Sequence, residues 1–162
     1  MIIYKMTNLK KSDFEDNSDI VARNLLGRYL SLRQQSGEII RARLREIAAY
    51  EGSGIRTSRK IGYSAGTVSI STKFGRKLFD IATGREGEFS CVTIRAVDLE
   101  DLTFEGPGNV TKTLGIDKFT QHLYDGVPAY GDVVWINGNP VDESEIYEIK
   151  INSTNCKGIY RF

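Results

Sequence analysis

Histidine and cysteine are almost absent from this chain. His122 is the single histidine in 162 residues, which leaves histidine-based metal centres and Ser/His/Asp triads little to build from. The two cysteines, Cys91 and Cys156, have no metal-ligand spacing and read as small reduced residues rather than a disulfide. No apolar run approaches the roughly 20 residues that cross a bilayer, and Met1 to Lys11 lacks the apolar stretch of a signal peptide. A cytoplasmic location without a membrane partner is therefore expected. Acid is also missing locally: between Gly52 and Phe79 there is no Asp or Glu, although the chain as a whole is near neutral at +1.

That acid-free sector holds Arg56, Arg59, Lys60, Lys73, Arg76 and Lys77. It reads either as a localised polyanion-binding face or as a solvated loop. The length suits one domain spanning residues 1–162, and 40% hydrophobic content with 27% charge describes an ordinary globular chain.

Periodicity gives a strand-rich outline. Ser18 followed by "DIVARNLLG" predicts a short helix with Ser18 as its N-cap, Gly27 closing its end, and Ile20, Val21, Leu25 and Leu26 on one face. "RYLSL" predicts a strand and "QQSG" a turn. From Glu38 to Tyr50 the pattern is two-fold: Ile40, Ala42, Leu44, Glu46, Ala48 and Tyr50 share one face, and Arg41, Arg43 and Arg45 the other. "GTVSISTKFGRKLFDIAT" predicts a hairpin with its tip near Phe74-Gly75. Further strands are expected in "FSCVTIRAV", "DVVWINGNPV" and "YEIKINS", and a short helix in "GPGNVTKTLGI" with Gly115 as its cap. The fold class is α+β, a single domain built on a largely antiparallel curved sheet with short peripheral helices.

Four stretches in order, "VARNLLGRYL", the strand ending in "AAYEG", "VTIRAVDLED" and "FEGPGNVTKTLGID", resemble the alkyladenine (3-methyladenine) DNA glycosylase family. Weaker echoes follow in "VVWINGNPV" and the terminal "YRF", so the likeness runs from about residue 14 to 162. The resemblance implies a fold of that family and a monofunctional enzyme without metal or cofactor. Such an enzyme flips a damaged base out of double-stranded DNA and hydrolyses its N-glycosidic bond. It implies no obligate protein partner. Phe74 matches the wedge that fills the vacated stack, its alternative being a core residue. Tyr50 matches the base-stacking tyrosine, with a plain core tyrosine as the alternative. Arg95 matches an arginine near the catalytic water and would equally pair with Glu46. Arg76 and Lys77, with Arg56, Arg59 and Lys60, would hold DNA phosphates. The "GPGN" start, through Gly108 and Asn109, would either bind a phosphate or simply cap its helix.

Three family positions differ. The catalytic acid two residues before the stacking tyrosine is Ala48 here, and Ser69 and Ser71 stand where the family has pocket tyrosines. Smaller side chains imply room for a bulky modified base, of the kind found in some viral DNA, so defence joins repair as a role. The carboxylate then comes from Glu46, one step along the strand from Ala48, or from Asp80 on the returning hairpin strand. A lyase step is not expected, since the visible lysines sit in polar stretches. Two non-enzymatic readings stand beside this one: an inactive relative that binds modified or distorted DNA, and a domain that binds RNA or a nucleotide on the same sheet.

Overall fold

Among the described residues, nine strands form a single sheet in which every pairing is antiparallel. The computed structural model describes residues 6–52, 63–85, 87–149, 151 and 155–162. In chain order the elements are a 3-10 turn (Lys11–Phe14), α1 (Ser18–Leu25), β1 (Tyr29–Arg33), β2 (Ile39–Glu51), β3 (Val68–Lys73), β4 (Arg76–Ala82), β5 (Ser90–Leu99), β6 (Leu102–Glu105), α2 (Pro107–Thr113), α3 (Gln121–Tyr124), β7 (Val134–Asn137), a 3-10 turn (Glu143–Glu145), β8 (Tyr147–Ile149) and β9 (Cys156–Arg161). The strand order is β3-β4-β5-β2-β1-β7, with β6 beside β5, β9 beside β2 and β8 outside β9. The sheet curls around its core, and the helices are short and peripheral, as expected for this α+β chain. No helix among the described residues is long and apolar enough to cross a membrane.

The long strand β2 organises everything else, and it departs from the simple two-fold reading. Leu44 pairs with Val97, but Glu46 then pairs with Ala96 and Ile47 with Ile94, so Arg45 and Arg95 are each an extra residue in the ladder. A bulge of this kind shifts the side-chain phase of a strand by one. The core consequently takes Ala42 and Leu44 before the irregularity and Ile47 and Ala49 after it. On β5 it takes Val92 and Ile94, then Val97. Glu46, Ala48 and Tyr50 still share a face, but it is the face opposite the core, not the one carrying Ala42 and Leu44. The carboxylate that seemed to lie among core residues in fact leaves the core at the bulge.

Leu25, Leu30, Leu32, Leu44, Ile47, Ile81 and Ile94 are fully buried together with Phe14, Phe79 and Tyr124. Burial of each aliphatic side chain contributes roughly 1.5–3 kcal/mol. α1 packs Val21, Ala22 and Leu25 inward, whereas Ile20 is exposed rather than on the apolar face. Ser18 is the first helical residue and not the cap. Asn17 holds the cap position, and the Ser18 N–H and hydroxyl both donate to Glu51 Oε1 at 3.1 Å. A carboxylate from the end of β2 thus meets the positive end of α1. Gly27 follows the helix at φ +86, where a Cβ would also collide with Val141. Strands β6 and β9 and helix α3 carry patterns too short to announce themselves; β9 nevertheless matters, because it delivers Arg161 to the site.

Candidate active site

The hairpin of β3 and β4 closes through two residues, Phe74 at φ +52 and Gly75 at φ +74, between the paired Lys73 and Arg76. Positive φ at both positions is the turn geometry that matches strand twist, normally made by Asn-Gly. Phenylalanine is a poor residue for it, at a cost of about 1–2 kcal/mol. Phe74 is nonetheless 93% exposed, so no packing offsets that strain. It is not a core residue. A strained, exposed aromatic between cations is an outlier of the kind that clusters at functional sites.

Behind the hairpin, one transverse row crosses the sheet on the non-core face. Ser69 pairs with Asp80, Asp80 with Thr93, Thr93 with Ala48, and Ala48 with Ile159. Tyr50 stands next along β2, between Cys91 and Cys156 as its cross-strand neighbours. Asp80 is wholly buried and accepts a 2.5 Å hydrogen bond from the Thr93 hydroxyl on Oδ1. Among the described residues its Oδ2 has no hydrogen-bond partner, and neither has the buried hydroxyl of Ser69 opposite. Buried polar atoms are normally satisfied, and two orphans in adjacent positions of one row are uncommon. Burial pushes the Asp80 carboxyl up to about 7, against the Thr93 bond and the Lys73 ammonium that pull it down.

Beside this row lies a cavity of about 320 Å³, lined by Tyr50, Leu78, Thr93, Arg95 and Pro107 and by the exposed Lys73, Phe74 and Arg76. Its size is at the lower end of small-ligand pockets, about 300–1,000 Å³. Burial raises the Tyr50 phenol, keeping it protonated, and likewise raises the Cys156 thiol, which makes that sulfur a poor nucleophile. Ser71 is half-buried, and Ala48 is fully covered.

Glu46 has a different setting. Its Oε2 accepts from Arg95 Nε at 3.1 Å, and its Oε1 accepts from Arg161 Nη1 at 3.2 Å. Arg161 also grips Glu105 through two bonds of 2.7 and 2.5 Å. The bulge brings this about, since the extra residue Arg95 is what reaches Glu46 on the neighbouring strand. Of the two candidate acids, Glu46 is thus clamped between two guanidinium groups, and Asp80 has a free oxygen. Sequence reasoning missed Thr93 and Arg161. The alternation Cys91, Thr93, Arg95 on β5 was a signal for the first; nothing local signalled the second.

Of the expected phosphate contacts, Arg76 is exposed at the hairpin tip, and Lys77 is half-buried with its ammonium on Gln121 Oε1 at 2.5 Å. Arg56, Arg59 and Lys60 lie outside the described residues. Gly108 lies beside the hairpin, where a Cβ would meet the Arg76 stem at 3.4 Å, an ordinary contact. The Asn109 amide donates to Glu105 O at 2.7 Å, closing the helix start. Among the described residues there is no cluster of three or more His, Cys, Asp or Glu side chains fit for a metal ion.

No family model matches the chain. Over 131 residues it is 28% identical to proteins of Legionella pneumophila strains Lens, Corby and Paris that are provisionally named 3-methyladenine DNA glycosylase, covering 72% of this chain and 71% of each relative. This chain is therefore a distant relative of proteins bearing a DNA glycosylase name, with a strained aromatic hairpin, a tyrosine-walled cavity and one free buried carboxylate.

Proposed function

We propose that this protein is a monofunctional DNA N-glycosylase that flips a modified, bulky base from double-stranded DNA and hydrolyses its N-glycosidic bond, in repair or in defence against modified foreign DNA. The single observation that carries the reading is Phe74, held exposed in a strained turn and lining the same cavity as Tyr50. A flipped base costs a few kcal/mol of lost stacking. Phe74 filling the gap and Tyr50 stacking the extruded base, at about 1–3 kcal/mol per stack, return it. The bulky base rests on the small size of Ala48, Ser69 and Ser71 in the sequence; none of the three lines the cavity.

Asp80 is the proposed base, acting through Thr93. Thr93 lines the cavity and its hydroxyl donates to Asp80 Oδ1, which leaves the hydroxyl oxygen's lone pairs to accept from a water. As the bond from C1′ to the base breaks, the base departs with the bonding electrons. The water adds to C1′, its proton passes to Thr93 Oγ1, and the Thr93 proton passes to Asp80. The negative charge of ionised Asp80 also favours the cationic sugar of the transition state. Glu46 is the weaker candidate, since Arg95 and Arg161 already neutralise it; with Arg95 it positions the strand junction beside the cavity.

Ala48 favours a second reading, a non-catalytic reader of modified or distorted DNA. An abasic-site assay separates the two. The protein is incubated with alkylated DNA and with DNA rich in hypermodified bases, then treated with alkali and scored for breaks, alongside Asp80→Asn and Glu46→Gln. Breaks that vanish with Asp80→Asn fit the enzyme. Tight binding without any alkali-sensitive site fits the reader.

A further inference from the structure

Beside the hairpin runs a second, larger groove of about 720 Å³, between Gly75–Lys77 on one side and α2 with the segment 116–119 on the other. It opens within a residue of Phe74 and holds four cations: Arg76, Lys77, Lys112 and Lys118. Its two acids are occupied. Glu105 is held by Arg161, and the Asp117 carboxylate accepts from the Phe119 and Thr120 N–H groups at 2.7 and 3.0 Å. Among the described residues no carboxylate lies within ion-pair distance of Arg76, Lys112 or Lys118, and all three are exposed.

At the far lip stands Phe119, 72% exposed, second only to Phe74 among the large apolar side chains. Its backbone is fixed rather than loose. Thr120 Oγ1 donates to Gly115 O at 2.8 Å and accepts from the Asp117 N–H at 3.0 Å, so Asp117 and Thr120 lock the turn that presents the ring. The Lys118 ammonium lies 5.0 Å from the ring centre. Phe119 therefore lines the basic trough, and Phe74 precedes its lining residue Gly75.

We propose that this groove clamps the sugar-phosphate backbone of the DNA strand flanking the flipped nucleotide, with Arg76, Lys112 and Lys118 on phosphates and Phe119 as a second aromatic contact, packed against a flanking nucleotide. The inference rests on the DNA-binding reading above. The chemistry is complementary on both counts: a polyanion matches uncompensated cations, and an exposed ring gains by covering a sugar or base face.

The two kinds of contact leave different signatures in binding to a fluorescent duplex with a central tetrahydrofuran abasic analogue, measured by anisotropy from 50 to 200 mM salt. Phe119→Ala is expected to weaken binding by about 5- to 100-fold with an unchanged salt slope, because a stacking contact releases no counterions. The triple variant Arg76→Ala/Lys112→Ala/Lys118→Ala is expected to lower the slope of log affinity on log salt by about 3, at about 0.9 per phosphate. Leu102→Ala, an exposed apolar residue on β6 outside the groove, is the control and binds as wild type. All these side chains are exposed, and unchanged melting temperatures verify that folding is intact. If Phe119→Ala binds as tightly as wild type, or the triple variant keeps its slope, the groove is not the clamp. If wild type itself does not bind the duplex, the DNA-binding reading falls and the groove proposal falls with it.

Discussion

Replacing Asp80 by Asn should make the protein more stable and less active, with the stability gain depending on pH. The side chain is fully buried, and its folded pKa of about 7 lies well above the ordinary 3.8. A raised carboxyl binds its proton more tightly in the folded state, so it stabilises below pH 4, and that stability is lost as pH rises to about 7, with no further loss above. Between pH 5 and pH 7 the loss is two pH units at 1.36 kcal/mol each, about 3 kcal/mol. Asn keeps the shape and can accept the Thr93 hydroxyl on its carbonyl, but it carries no charge to desolvate. Asp80→Asn should therefore gain about 3 kcal/mol over wild type on going from pH 5 to pH 8. For a domain of this size that is roughly 8 °C in melting temperature. Thermal melts of both proteins at the two pH values, in matched ionic strength, read this directly. Glu105, hydrogen-bonded by Arg161, and Asp142, bonded by the Ser144 N–H, are held below the ordinary carboxylate range and so do not titrate in this window. An offset between the proteins that is equal at pH 5 and pH 8 would refute the reasoning, and so would a wild type that is no less stable at pH 8.

Other perturbations probe the remaining parts. Thr93→Val should remove most abasic-site formation while Thr93→Ser restores it, because only the hydroxyl relays the proton; activity in wild type should rise with pH and level off above about 7. Phe74→Asn places a residue suited to left-handed backbone before Gly75, so it should raise stability by about 1 kcal/mol yet weaken duplex binding, read by melting and anisotropy. Glu46→Gln strips the charge from two guanidinium contacts and should lower stability by about 2–4 kcal/mol in urea unfolding; residual abasic-site formation in the folded variant would separate it from Asp80→Asn.

The positions of most elements, and the identity of the exposed hairpin tip, were legible in the sequence because both depend on local rules. Alternation marked β2, β3, β4 and β5, glycines marked the ends of α1 and α2, and a two-residue turn between strand patterns placed Phe74-Gly75 at the apex. Family-like motifs pointed to glycosylases before any geometry was known. What the sequence could not show was the phase of β2. A residue inserted in each of two paired strands, Arg45 and Arg95, is invisible to single-strand periodicity, since a bulge exists only in the pairing. That irregularity turns Glu46, Ala48 and Tyr50 away from the core. Contacts between distant segments were equally hidden. Glu51 meets α1 across 33 residues, and Arg161 meets Glu46 across 115. Only the folded sheet makes Glu46 a neutralised partner of two arginines and leaves Asp80 with a free oxygen, because desolvation and pairing are set by the neighbours that tertiary structure brings and not by residue type.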